Sequence, residues 1–425
     1  MKLMNVKGTY DYSSNDMKIR NKIISILQNN FEKYGYSPLE TPIINYYDLL
    51  SYKYCDDAEI LNEIYRLTDQ GDRDLGLRYD LTVPFCKFVG ITKDLSIPFR
   101  RYEIGKVFRN GPVKAGRTRE FYQCDVDVVG IDNRLIEAEQ ILMAKNIYQE
   151  LGIDVIIKYN NRSLMSGLIK LAGISDDKRD SVIGIIDKLE KVSSKEIRDM
   201  LTDISITEEK INKLFDLFNK TIEEYQELAK ENELIKEGIN EIIEINKYLT
   251  ELNIINDCKF TPTLARGLSI YTGIVFEFYD KLERITSALG AGGRYNKIIT
   301  NFMNNGNEYP AVGLSFGLEP IYFILKENMK IIPLADIYMV PLETNIETLK
   351  LSNTLRNKGF SVLIEMNNKK ISKCFEYAEK NNIKYVMIIG TNEVNSGIYK
   401  IKDMNKKEEY SFKLEELIKY IENQE

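Results

Sequence analysis

The chain has 425 residues, enough for two or three domains, and its 44% hydrophobic content can fill sizeable cores, which excludes a disordered or fibrous class. A net charge of −6 excludes a general polyanion binder while still permitting a local basic loop on an acidic body. The complete absence of histidine excludes Ser/His triads, His-ligated metals and imidazole acid–base chemistry supplied by the protein itself.

Cys55, Cys86, Cys124, Cys258 and Cys374 are scattered without a CxxC pair, so neither a disulfide framework nor a zinc cluster is expected. No apolar run is long enough to cross a bilayer, and the start, MKLMNVKGTYDYSSNDMK, lacks the apolar core of a signal peptide. A cytoplasmic protein with no membrane partner is expected. From Asp16 to Tyr34 the spacing of Ile19, Ile23, Ile24, Leu27 and Phe31 predicts a helix, and Gly35 stops it. YGYSPLETPIIN then runs extended, with Pro42 as an edge or turn signal. Glu63 to Phe88 reads as strand, turn, strand and short helix. Asp80 and Thr82 share a face there, and either receive an ammonium group or cap the helix that follows.

The segment from Arg100 to Gly130 is where the chemistry is expected. Two strand-like runs flank a loop too long for a mere turn. On the entering run Arg101, Glu103, Gly105, Val107 and Arg109 share one face; on the leaving run Phe121, Gln123, Asp125 and Asp127 do, backed by Tyr122, Cys124, Val126 and Val128. The loop between them carries the breakers Gly111, Pro112 and Gly116 and the cations Lys114, Arg117 and Arg119. Together with Arg109, Gln123 and Asp127, this offers a phosphate site at one end and an ammonium site at the other. That combination suits an amino acid meeting ATP.

Leu135 to Leu151 reads as a helix and DVIIKYNN as a strand. From about Ser166 to Glu251 the texture becomes helical, rich in Ile, Leu, Lys and Glu, with glycine only at Gly167, Gly173, Gly184 and Gly238. FTPTLARGLSIYTGIVFEFYD follows, where Arg266 either reaches a reacting phosphate or forms a structural salt bridge. From Ala335 strands and helices alternate: ADIYMVPL, a helix from Asn345 to Lys358, FSVLIEM, a helix from Ile371 to Asn381, KYVMIIG, IYKIKDM and a final helix. Thr344 and Glu347 have capping-box spacing, and the whole predicts a small α/β domain with a mostly parallel sheet.

FRNGPVKAGRTREFYQCDVDVVG resembles motif 2 of class II aminoacyl-tRNA synthetases, LARGLSIYTG resembles a signature segment of the histidyl enzymes, and GAGGRYNKII the glycine-rich strand after it. RYDLTVPF is similar to the segment that binds the amino group of histidine there, AVGLSFGLEP to motif 3, and ISKCFEYAEKNNIKYVMIIG to the anticodon-binding domain. The resemblance to histidyl-tRNA synthetases runs over nearly the whole chain. It implies a class II α+β catalytic domain, an antiparallel sheet with helices, over residues 1–165 and 252–328. It further implies a helical insertion domain at 166–251, which in the family meets the tRNA acceptor arm, and an anticodon-binding α/β domain at 332–425.

The implied activity joins histidine and ATP into histidyl-adenylate, then passes the histidyl group to the 3′ end of tRNA(His). Arg109 and Arg266 are the implied catalytic residues; Asp80, Thr82, Gln123, Asp127, Tyr271 and Tyr295 the implied histidine pocket; Arg109, Arg117, Phe121 and Glu319 the implied ATP contacts. Magnesium is expected with the triphosphate, although no ligand set is legible. Pro42 matches the motif 1 proline of the family's dimer interface, so a homodimer is expected, and DNA is not a partner. Two positions depart from the pattern. Ser269 stands where the family usually has an aspartate, and Pro320 where motif 3 has an arginine that grips the γ-phosphate, leaving Arg117 as the candidate replacement. The rival reading is a non-charging regulatory paralogue that partners ATP phosphoribosyltransferase. A tRNA-sensing module without catalysis ranks below it because the chain has no room for an effector domain. The missing histidines fit either a drift toward Asn, Ile and Lys or selection for synthesis when histidine is scarce.

Overall fold

A computed structural model describes residues 2–52, 58–113, 118–189, 192–266, 270–327 and 332–423. The chain forms two compact units, Met1–Asn328 and Met329–Glu425. Among the described residues no helix is long and apolar enough to cross a membrane.

The first unit is organised by an eight-stranded sheet. Its order is Ser37–Pro38, Phe99–Phe108, Glu120–Val129, Ala311–Gly317, Gly290–Arg294, Ile274–Asp280, Val155–Asn161 and Cys258–Phe260. The six inner strands pair antiparallel, and the two outermost pair parallel to their neighbours. The predicted alternation holds across the long hairpin: Arg101, Glu103 and Gly105 lie opposite Asp127, Asp125 and Gln123. Because side chains alternate along a strand, all six share one face. The other face is apolar. Phe31 of the helix Ser14–Lys33 packs its ring 5.5 Å from Tyr102 and 5.6 Å from Phe316, and Tyr148 of the helix Leu135–Glu150 lies 5.5 Å from Phe278. These contacts cover the sheet's back and leave its polar face to the site. A buried ion pair lies in this back layer, Arg294 Nε to Glu137 Oε1 at 2.7 Å.

A small antiparallel sheet of Ile44–Tyr46, Asp74–Leu77 and Arg66–Thr68 precedes the helix Thr82–Ile91, matching the strand, turn, strand and helix expected there. Helices between Arg162–Leu171 and Glu233–Glu251 form the insertion, and the first and last of them pack together. Two of its glycines have a packing reason. A Cβ at Gly238 would lie 2.4 Å from the backbone nitrogen of Leu164, and one at Gly167 would lie 2.9 Å from that of Ile235. The two helices therefore meet backbone to backbone.

The second unit has a five-stranded sheet in the order Val362–Ile364, Ile337–Pro341, Tyr385–Ile389, Ile398–Asp403 and Glu408–Lys413. The expectation of a mostly parallel sheet is corrected in part. The first three strands are parallel, but the last two form an antiparallel hairpin, whose outer strand EEYSFK the sequence reading missed. The capping box at Thr344 is also absent. Its backbone, at φ −123° and ψ 42°, lies off the extended conformation of an N-cap, and its buried hydroxyl donates instead to the carbonyl of Ile389 at 2.5 Å without accepting from the helix start. Ile337 and Met339 face a cluster with Leu355 and Leu417, while Tyr338 and Val340 face Cys374 and Ala378, giving one helical layer on each side of the sheet.

Candidate active site

The polar face of the large sheet opens into two adjoining cavities, of about 580 and about 360 Å³. Small residues make this space. Gly313 sits where a Cβ would fall 2.2 Å from Asp127 Oδ1 and 3.0 Å from the Tyr295 ring.

The larger cavity is lined by Asp80, Thr82, Gln123, Asp127, Tyr271 and Tyr295, bringing together residues drawn from four separate stretches of sequence. Asp127 is fixed from two sides: Tyr295 donates its hydroxyl to Oδ1 at 2.5 Å, and Arg101 Nη2 lies 2.7 Å from Oδ2. Arg101 is fully buried. Burial works against its charge, but Asp127, Asp125 and Glu103 outweigh that cost and hold its pKa above the ordinary value. Tyr295 is pushed well up by burial and by Asp127, and Tyr271 is raised by burial despite the nearby Arg266; both therefore stay neutral hydroxyls. Asp80 accepts the backbone N–H of Val83 at 2.9 Å, so it does cap the helix while also facing the cavity. The two readings of Asp80 are compatible. Gln123 donates to Ser315 Oγ at 3.2 Å.

Arg109 and Arg266 line both cavities and mark their junction. The Arg109 guanidinium lies 4.3 Å from the Tyr79 ring centroid and 5.0 Å from that of Phe121, and its Nε donates to the carbonyl of Tyr79 at 3.3 Å. Tyr79 in turn donates to Glu63 at 3.0 Å, and burial pushes its pKa up to about 12. Arg266 lies 3.7 Å from Glu277 and 4.9 Å from the Tyr271 ring, and its buried Nη1 has no hydrogen-bond partner among the described residues. Its backbone has a φ of +42°, the left-handed region, uncommon outside glycine. Both sequence readings of Arg266 thus have a structural counterpart: it has a carboxylate neighbour and a spare, desolvated donor. A buried donor without a partner is completed by an anion.

Phe121, Glu319 and Pro320 line the smaller cavity. Glu319 is oriented by the buried Arg20, 2.9 Å away, and by the N–H of Tyr122 at 3.2 Å. Pro320 sits in the first turn of the helix Leu318–Lys326, where a missing N–H costs no helical bond. Arg109 and Arg266 are the cations on this cavity's described wall. Arg117, the candidate replacement for the motif 3 arginine, lies outside the described residues, as does Ser269.

Sequence reading missed three contributors. Asp125 lines the larger cavity with Oδ1 unpartnered among the described residues, and burial, opposed by Arg101 and reinforced by Asp127, raises its pKa to about 7. Its place beside Gln123 and Asp127 on the predicted polar face was the available signal. Ser315 follows from the register, since it pairs with Asp125 across the next strand. The third, Ser181, Gly184, Ile185, Asp187 and Lys188 of the helical insertion, lines the larger cavity and had no local signal at all.

The antiparallel sheet, the polar hairpin with its two arginines and the double cavity define a class II aminoacyl-tRNA synthetase. The histidyl-tRNA synthetase family matches residues 8–321, and an anticodon-binding domain family matches residues 331–424. Histidine-tRNA ligase 1 of Bacillus cereus is 42% identical over 426 residues, covering 99% of this chain and 100% of its own; histidine-tRNA ligase 2 of Shouchella clausii is 44% identical over 406 residues, covering 94% and 96%. The crystal structure of histidyl-tRNA synthetase from Nostoc superposes with a TM-score of 0.87 at 26% identity over 100% of both chains. This chain belongs to the histidyl-tRNA synthetase family.

Proposed function

We infer that this chain is a histidine-tRNA ligase: it activates histidine with ATP and transfers the histidyl group to tRNA(His). The observation that carries the reading is the meeting of two unlike cavities at Arg109 and Arg266, one lined with carboxylates, amide and hydroxyls, the other with Phe121 and Glu319. Histidine's ammonium is held by Asp80, Thr82 and Gln123, and its ring lies toward Asp127, Tyr271 and Tyr295. The base of ATP stacks on Phe121. The amino acid's carboxylate is ionised at neutral pH and attacks the α-phosphorus without a general base; what it requires is alignment and neutralisation of the charge growing on the phosphoryl oxygens. Arg109, held between two rings, and Arg266, with its spare donor, are placed for that work. Pyrophosphate leaves, and the terminal ribose of the tRNA then attacks the adenylate carbonyl.

ATP enters as its magnesium complex. Among the described residues no cluster of three or more acidic or cysteine side chains is available to hold a metal, and the carboxylates of the smaller cavity, Glu63 and Glu319, are already hydrogen-bonded. Magnesium would come with the triphosphate, whose charge it would neutralise, and Glu63 and Glu319 are the carboxylates on the wall beside it. The residues 332–425 read the anticodon, and 166–251 meets the acceptor arm as an insertion in the catalytic domain of residues 1–165 and 252–328. A homodimer is supported by the exposure of Pro42, Ile43, Ile44 and Tyr46 around the motif 1 position, and a cytoplasmic location fits the other substrates. The regulatory-paralogue reading has weaker support. A Bacillus halodurans protein described as an ATP phosphoribosyltransferase regulatory subunit/histidyl-tRNA synthetase shares the fold at TM-score 0.76 but only 19% identity.

The test is histidine-dependent ATP–pyrophosphate exchange by the purified full chain, beside Arg266→Ala. Exchange by the unaltered protein, reduced ~100-fold in the variant, is expected for loss of one contact to the developing charge. Histidine binding without exchange would favour the regulatory reading.

A further inference from the structure

Asp125 is a buried carboxyl, 5% exposed, on the wall of the histidine cavity, and its Oδ1 meets no donor among the described residues. The carboxylates around it are already engaged. Asp127 is held by Tyr295 and Arg101; Glu103, opposite Asp125 in register, takes Arg78 at 2.7 Å and the Thr41 hydroxyl at 2.9 Å; Asp80 takes the Val83 N–H. Asp125's second link is to Ser315, whose oxygen already accepts from Gln123 and whose proton is thereby left for the carboxyl. One strong acceptor thus faces a cavity of about 580 Å³ without a side-chain or backbone donor among the described residues. A buried polar atom left without a partner costs folding free energy, and the cost is recovered when a ligand supplies the missing group.

The inference rests on the histidine reading given above. We propose that Asp125 is a specificity-determining residue that takes a ring N–H of the bound histidine, so that carboxyl and imidazole share one proton and form a net-neutral pair. The ammonium is served by Asp80, Thr82 and Gln123, and the chain supplies no imidazole of its own. A carboxyl raised to about 7 is matched to a ring that titrates near ~6.5. The charged and titratable groups facing Asp125 are Arg101 and Glu103 on the hairpin partner, Asp127 on its own strand, Asp80 at the helix start, and Tyr271 and Arg266 across the cavity. Asp187 and Lys188 also line the cavity. Arg101 is shared with two other carboxylates, so it does not cancel the preference of Asp125 for a proton.

At pH 8 free Asp125 and the free ring are both mostly without the shared proton, so binding takes one up and affinity falls with rising pH. The experiment is calorimetric titration of L-histidine, and of the less basic ring isostere 1,2,4-triazole-3-alanine, into the full chain between pH 6.5 and 8.5. Buffers of different ionisation enthalpy report the protons taken up. The unaltered protein is expected to take up close to one proton per histidine at pH 8 and to prefer histidine over the isostere. In Asp125→Asn the uptake falls toward zero, histidine binds roughly 10- to 100-fold more weakly and the preference collapses. No uptake at pH 8 by the unaltered protein overturns the proposal whatever the variant's folding. So does an Asp125→Asn protein that keeps the uptake, or loses both amino acids equally. Loss of histidine binding and of pyrophosphate exchange together, in the unaltered chain, would instead bring down the histidine reading itself and the proposal with it.

Discussion

Replacing Arg101 by methionine, which has similar reach and no charge, tests whether the polar face of the sheet is an electrostatic unit. Arg101 is fully buried, 2.7 Å from Asp127 and 3.6 Å from Glu103, with its guanidinium 4.4 Å from the Phe85 ring. At an effective dielectric of 20, opposite charges ~4 Å apart attract by ~4 kcal/mol. Glu103 retains Arg78, whereas Asp127 and Asp125 lose their shared cation. Stripping one partner from a buried ion pair costs on the order of 3–5 kcal/mol, the range expected here. The sign with pH follows from Asp125, whose pKa is already raised from 3.8 to about 7 by burial. A raised carboxyl stabilises the fold fully below the unfolded pKa and loses that contribution as pH rises through the folded one. Without Arg101, whose charge lowers it, the Asp125 carboxyl rises further, so the deficit should be largest at pH 8 and shrink at pH 5.5. The chain has no tryptophan, so urea unfolding is followed by tyrosine emission at the two pH values. A loss under ~1 kcal/mol, or one equal at both pH values, would show that the cluster is solvated and that the reasoning is wrong.

Three further outcomes follow from the same geometry. Asp125→Asn should be more stable than the unaltered protein at pH 8, with a smaller gain at pH 5, because the cost of ionising a carboxyl raised from 3.8 to about 7 disappears; parallel thermal melts check it. Gly313→Ala places a methyl 2.2 Å from Asp127 Oδ1 and must displace Asp127 or Tyr295, so steady-state exchange should show KM for histidine raised at least ~10-fold with KM for ATP little changed. Pro320→Arg adds a cation to a wall whose described cations are Arg109 and Arg266, and should lower KM for ATP by roughly threefold, the worth of one partly solvated ion pair, without changing KM for histidine.

Where a signal was periodic, it was legible. The two-residue alternation of the hairpin placed Arg101, Glu103, Gln123, Asp125 and Asp127 on one face because strand geometry leaves no alternative. Contacts between distant segments were not legible. Glu319 is set by Arg20, almost three hundred residues away, and no local pattern encodes that pairing. The outer strand Glu408–Lys413 was missed because its alternation is short, only Tyr410 and Phe412 between exposed polar positions of an edge strand. Thr344 illustrates the opposite failure. The capping spacing is present, but the backbone of Thr344 is not in the extended conformation that aims an N-cap oxygen at the helix start, and the hydroxyl is turned to the carbonyl of Ile389 and to Thr348.

The helical insertion looked in the sequence like an appendage for a large substrate, yet its ends are tied to the site. Asn161 caps the first insertion helix by accepting from Ser163 and Leu164, and donates at 2.6 Å to Glu241 on the last one; Glu241 also pairs with Arg134 at the start of the helix behind the sheet. One residue on, the buried Arg162 donates from Nη2 to Asp180 at 3.1 Å and from Nη1 to the carbonyl of Ala265 at 3.4 Å. Asp180 opens the helix Arg179–Ile186, whose Ser181, Gly184 and Ile185 line the larger cavity, and Ala265 precedes the left-handed Arg266. A single guanidinium therefore touches both a helix in the wall of that cavity and the backbone beside Arg266. Because the same side chain meets both, a shift of the helix would be felt at the backbone next to Arg266, which links the pose of the insertion to the position of that arginine.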